Sequence, residues 1–93
     1  MIMMITERPL PLGFDPADEA LMRRHCRIAV DSMAKLGGRM HWVCSYVTED
    51  AIVGVTFVES EADMAAYQAA AGIQDQPIRV SRVLRRLDPG LAA

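Results

Sequence analysis

Apolar and polar positions repeat with two different periods along the chain, and these periods predict strands and helices in a definite order. An apolar, β-tolerant run over residues 3–8 predicts a first strand, which Pro9 ends. From residue 16 to about residue 36 apolar residues recur at every third or fourth position, which is typical of a one-sided helix. Asp15 and Pro16 suit the start of this helix, and Gly37 suits its end.

The second half of the chain predicts a hairpin, a helix and a last strand. Residues 39–48 and 51–59 are rich in β-branched and aromatic side chains and are separated by a short polar turn. Ser60 begins the second helix, with Asp63 three positions later in a form of capping box, and Gly72 is a suitable stop. Residues 78–84 predict the last strand, and the tail from about residue 88 is expected to be loose.

The order strand, helix, hairpin, helix, strand predicts an α+β ferredoxin-like fold of type βαββαβ. Residues 1–93 then form a single domain, in which two helices cover one face of a four-stranded antiparallel sheet. The opposite face has no cover in a monomer. Because a core of this size is small, we expect the chain to pair with a second copy, as a homodimer of the dimeric α+β barrel type.

Composition narrows the classes of partner. Hydrophobic residues make up 52% of the chain and the formal net charge is −2, so nothing favours nucleic acid as a partner. No apolar run approaches the roughly 20 residues that cross a bilayer, so no membrane partner is expected. Two cysteines are too few for a disulfide framework, and a reducing cytoplasm is the expected location.

The uncovered sheet face is the first candidate for function. Side chains alternate along a strand, so Trp42, Cys44 and Tyr46 are expected to share one face of the second strand. The valines between them suit the helix-covered core, which leaves the aromatic strip on the uncovered face. Such a strip is typical of a partner or ligand surface. Two explanations stay open: the aromatic residues line a ligand pocket between two copies, or they only hold the dimer together.

Few other side chains suggest chemistry. Glu7 on the first strand either reaches the edge of this cavity or pairs with a neighbouring arginine such as Arg82 or Arg85. His25 is expected on or beside the buried face of the first helix, as a structural side chain. His41 alternates away from Cys44 along the second strand, so the two are not expected to hold one ion. The sequence has no local metal motif.

The hairpin carries a motif that resembles a family of small bacterial proteins, long known only as a domain of unknown function, with a nickel-binding member. The family pattern is approximately Trp-x-His-Ser-Tyr-Val-x-x-Asp, followed by a strand and a helix that ends in Ala-Gly. The matching residues in this chain are Trp42, Ser45, Tyr46, Val47, Asp50, Ala71 and Gly72. The ends, Glu7-Arg8-x-Leu10-Pro11 and Leu87-Asp88-Pro89, are also similar to those of the family.

The resemblance implies a ferredoxin-like fold, a dimer and nickel binding. Cys44 stands where the family pattern has a histidine, and Tyr67 stands where a second histidine is expected. A cysteine thiolate also binds nickel, so the resemblance makes Cys44 the metal candidate. No other cofactor is expected.

The sequence therefore predicts a homodimeric protein that binds a small organic molecule on the uncovered sheet face. Trp42 and Tyr46 would form the walls, Cys44 and Glu7 the polar contacts, and Tyr67 the rim. A small enzyme without a cofactor is one version of this prediction, by analogy with other dimers of this fold. A nickel-binding protein is the first alternative, and an assembly module without a ligand is the second.

Overall fold

A computed structural model of the chain describes residues 1–92, in which four strands and two helices form an α+β ferredoxin-like fold. The elements are β1 (Ile2–Pro9), α1 (Glu19–Ala34), β2 (Met40–Val47), β3 (Ala51–Val58), α2 (Ala62–Ala70) and β4 (Arg79–Arg82), followed by a short 3-10 helix at Pro89–Ala92. The sheet is antiparallel throughout and has the order β2-β3-β1-β4. The predicted fold class is confirmed.

Helix α1 begins three residues later than the sequence suggests. The side chain of Asp18 accepts a hydrogen bond from the Leu21 amide at 3.1 Å, and it therefore caps the helix. Asp15 instead accepts from the Ala17 amide at 2.9 Å and closes a turn before the helix. The helix ends at Ala34, about two residues earlier than predicted, and Gly37 takes a φ of +62° in the turn that follows the C-cap Lys35.

Helix α2 is held at its start by a buried carboxylate. The Ser60 amide donates to the Asp63 side chain at 3.0 Å, as the capping-box pattern predicts. Asp63 is only 4% exposed, and its carboxylate lies 3.6 Å from the Arg39 Nε. The carboxylate of Asp63 therefore contacts both the start of α2 and a cation on the turn between α1 and β2.

Both helices pack on the same face of the sheet. Met4, Met40 and Val58 from three strands contact Leu36, which follows α1, and Met64 from α2. Val58 is completely buried at the centre of this cluster. Ile28 is one of the apolar residues whose spacing predicts a buried stripe on α1, but its side chain is 52% exposed and the prediction is wrong for this residue.

The opposite face, here called the open face, has no covering element among residues 1–92. Its apolar side chains come from the odd positions of the two central strands and are only half-buried: Met3, Ile5, Val53, Val55 and Phe57. Direct pairing of Met3 with Phe57 and of Ile5 with Val55 makes this a continuous apolar surface.

Candidate functional site

A bulge in β2 reverses the alternation on which the predicted site depended. Trp42 lies opposite Thr56, but Cys44 lies opposite Val55, so one extra residue is inserted between them. Thr56 belongs to the helix-covered face and Val55 to the open face. Trp42 therefore lies on the helix-covered face, while Cys44 and Tyr46 lie on the open face. The predicted single strip of these three side chains is wrong for Trp42.

The same bulge moves a histidine to the face of Cys44. His41 lies opposite Phe57, on the open face, so the expected separation of His41 from Cys44 is also wrong. Two donors on one strand do not make a metal site, and Tyr67 lies on the other side of the sheet. Across residues 1–92 no cluster of three or more His, Cys, Asp or Glu side chains could hold a metal ion. The donor set of one chain thus does not fit nickel, and the nickel interpretation stays a prediction.

A cavity of about 60 Å³ lies between the two helices and the covered face of the sheet. We call it the helix–sheet cavity. Two residues of the predicted ligand set, Trp42 and Tyr67, line it together, from β2 and α2. Methionine side chains supply much of the apolar lining: Met33, Met40 and Met64. The cavity is a continuation of the core cluster towards one end of the sheet.

The floor of the helix–sheet cavity is a row of small side chains across three strands. Thr6 and Ser45 both lie directly opposite Gly54, one on each neighbouring strand. A Cβ atom at Gly54 would lie 2.7 Å from the Thr6 Oγ1 and 3.3 Å from the Ser45 Oγ, so glycine keeps this row open. The Ser45 hydroxyl accepts a hydrogen bond from the Trp42 indole at 3.0 Å, which fixes the ring against the floor.

The end of the cavity nearest solvent is polar and is organised by Arg8. Its Nη1 donates to the Gln76 Oε1 at 2.7 Å, and its Nη2 lies 3.2 Å from the Nε2 of His25. A guanidinium only donates, so Nε2 must accept, and the proton of the neutral imidazole sits on Nδ1. Phe14 packs edge-on against the His25 ring, with the ring centroids 5.4 Å apart. The prediction that His25 lies on or beside the buried face is confirmed.

Burial and mutual proximity set the charge state of this end. Burial lowers the pKa of His25, and the neighbouring Arg8 lowers it further. Burial also lowers the pKa of Arg8 and raises that of Tyr67, and the proximity of the two partly offsets each shift. At neutral pH the lining therefore carries one positive charge, on Arg8, beside a neutral imidazole and a neutral phenol.

Arg8 is a candidate site residue that the sequence pattern alone does not single out. Alternation along β1 places Glu7 on the open face and Arg8 on the covered face. Burying a charged side chain on the covered face costs free energy unless it is paired or hydrogen-bonded, and this holds for arginine as for glutamate. Glu7 lies opposite Arg79 of β4 and not opposite Arg82, whose guanidinium is 4.0 Å from Glu61. The predicted ligand residues are thus divided between two faces: Trp42 and Tyr67 on one, and Glu7, Cys44 and Tyr46 on the other.

No family model matches this chain, and no curated protein matches it either. The resemblance of the hairpin motif to the nickel-binding family therefore stays a prediction. Among the helices of residues 1–92, none has the length and apolar character needed to cross a membrane.

Proposed function

We propose that this protein binds a small organic molecule in the helix–sheet cavity. The observation that carries the proposal is the convergence of polar groups on an otherwise apolar, concave lining, which is typical of ligand sites. Arg8, His25 and Tyr67 come from three different elements and meet at one end. The Trp42 ring forms a wall.

The volume of the cavity favours a small ligand. A single water needs roughly 10–15 Å³ on this measure, so a cavity of about 60 Å³ has room for a few water-sized groups. A short-chain molecule of a few non-hydrogen atoms matches this size, whereas a cavity that takes benzene has about 150 Å³. Apolar contact with the methionine side chains and with Trp42 would supply the affinity, and the polar end would orient the molecule.

Ligand binding can be followed by intrinsic fluorescence, because Trp42 is the only tryptophan of the chain and lines the cavity. We expect fragments of suitable size to change the emission of Trp42 in a saturable manner. Tyr67→Ala, which removes a cavity wall, should weaken binding at least tenfold. Tyr46→Ala removes an aromatic ring from the open face and is the matched control, with unchanged affinity expected. No saturable change with any fragment, or equal losses in the two variants, would contradict the proposal.

The open face supports a second part of the proposal, namely that the protein is a homodimer. Half-buried apolar side chains cover both central strands, and such a continuous patch is typical of an interface. Glu7 and Arg79 lie side by side at one end of it. An interface between two identical copies must be self-complementary, and adjacent opposite charges satisfy this requirement when the copies are related by a two-fold axis.

The homodimer can be tested apart from the ligand. Val55→Glu places a charge at the centre of the open face, and sedimentation should then show a monomer where the unmodified protein is a dimer. The helix–sheet cavity lies on the other side of the sheet, so Trp42 emission should be preserved. A monomer before the substitution would refute the homodimer and leave the ligand proposal standing.

A further inference from the structure

The charge of the cavity narrows the class of ligand. Building on the proposed function, we infer that the ligand of the helix–sheet cavity is a small monocarboxylate, whose carboxylate pairs with the guanidinium of Arg8. The inference depends on the hydrogen-bond partners of Arg8, on the number of charges in the cavity lining, and on the spacing between Arg8 and the floor. The Thr6 and Ser45 hydroxyl groups of the floor are here called the hydroxyl row.

Arg8 is a half-buried cation without an anionic partner. Its two hydrogen bonds go to the neutral side chains of Gln76 and His25, although a guanidinium offers five donors. Glu7 and Asp50 border a shallow groove beside it, yet within residues 1–92 no carboxylate lies within 4.0 Å of its nitrogens. A partly desolvated charge is costly unless it is paired, and a carboxylate matches the guanidinium in a bidentate manner.

The number of charges favours a monoanion. Arg8 is the one charged residue in the lining, and His25 is held neutral by accepting from it. A phosphate dianion would leave a negative charge without a partner in the same space, whereas a carboxylate is neutralised by Arg8 alone. The structure therefore favours a carboxylate over a phosphate.

The sheet register favours a short acid. The backbone of Arg8 pairs with that of Ile52, and the row of Thr6, Gly54 and Ser45 lies two residues further into the sheet. At roughly 3.3 Å per residue, the backbones of the two rows are about 7 Å apart. A short acid that pairs with Arg8 can therefore extend towards the hydroxyl row.

Binding of an anion should be coupled to the proton of His25. The other titratable groups that line the cavity are Arg8 from β1 and Tyr67 from α2, and the lining residues of β2 and β3 contribute none. A carboxylate that pairs with Arg8 offsets the positive charge that lowers the pKa of His25, so this pKa should rise on binding while the imidazole stays neutral at pH 7. Affinity should then increase as the pH falls below 7, by less than tenfold per pH unit.

The test compares acids with amides of the same shape. Wild-type protein is titrated with acetate and acetamide, and with butyrate and butyramide, at pH 7, and Trp42 emission and calorimetry are recorded. Each acid should bind at least tenfold more tightly than its amide. Arg8→Gln should abolish this preference and Arg8→Lys should keep part of it. Arg85→Gln changes an exposed arginine beyond β4, so it is the matched control and should keep all of it.

The outcomes separate the two proposals. If amides bind as tightly as acids, the carboxylate inference is wrong and the proposed function stands. If neither class changes Trp42 emission up to millimolar concentration, both are wrong. Circular dichroism checks that the Arg8→Gln variant folds. If the variant does not fold, the ratio of acid to amide affinity in the wild-type protein still tests the carboxylate inference.

Discussion

Gly54→Ala is the substitution that tests the floor of the helix–sheet cavity most sharply. Gly54 is buried in β3, between Thr6 of β1 and Ser45 of β2. A Cβ atom there would lie 2.7 Å from the Thr6 Oγ1, a distance at which one of the two groups must move. Thr6 is β-branched, so a rotation about χ1 puts either a methyl group or a hydrogen in the place of the hydroxyl, and relief is partial.

The expected effect is a loss of stability. Overpacking of this kind costs about 1–3 kcal/mol, and replacing a glycine within a strand returns about 0.5–1 kcal/mol. We therefore expect Gly54→Ala to reduce the free energy of unfolding by about 1–2 kcal/mol. For a chain of this size that corresponds to a decrease in Tm of roughly 4–16 °C.

The assay is urea denaturation of a double-mutant cycle. Thr6→Ala removes the hydroxyl that the new methyl group meets, so the double variant Thr6→Ala/Gly54→Ala should be more stable than Gly54→Ala alone. The coupling should be about 1 kcal/mol or more, since the two side chains are in direct contact. Strict additivity, or a Gly54→Ala variant as stable as the wild-type protein, would refute the geometry of the floor.

Further predictions concern charge and helix capping. Because burial and Arg8 lower the pKa of His25, the unfolded chain binds more protons than the folded protein below about pH 6.5, so the free energy of unfolding should fall as the pH falls below that value. His25→Gln should make the fall measurably shallower between pH 7 and pH 5 in urea denaturation, and an unchanged slope would contradict the pKa direction. Asp63→Ala should cost about 1–2 kcal/mol in the same assay, because the Ser60 amide loses its acceptor. The exposed Asp75→Ala is its control, and equal losses would contradict the capping role.

The fold could be predicted from the sequence because its signals are local and agree with one another. The three- and four-residue spacing of apolar positions marks α1, and the β-branched run with a polar turn marks the hairpin. The exact start of α1 was less predictable, since Asp15 and Asp18 are both good caps and only the backbone decides between them. The predicted contact between the Ser60 amide and Asp63 is present because it is local, although α2 itself begins at Ala62, after the N-cap Glu61.

The candidate site could be predicted only in part, and the reason is the β2 bulge. Strict alternation is the only guide that a sequence offers to the face of a strand residue, and one inserted residue reverses it. The residue between Trp42 and Cys44 is Val43, which is common in regular strands and does not indicate a bulge. Strict alternation therefore assigned Trp42 to the wrong face. Arg8 was predictable in principle, since a charged side chain at an even position of a central strand must face the helices. Its contacts with His25 and Gln76, however, depend on elements distant in the sequence.

The central claim, that a small molecule binds between the helices and the sheet and not on the open face, is tested most directly by methionine-methyl NMR during a ligand titration. Met33, Met40 and Met64 line the helix–sheet cavity, whereas Met3 lies on the open face. With butyrate as the ligand, we predict saturable shifts of the three cavity methyl signals and an unchanged Met3 signal. A shift of Met3 alone would contradict the account and place the ligand on the open face.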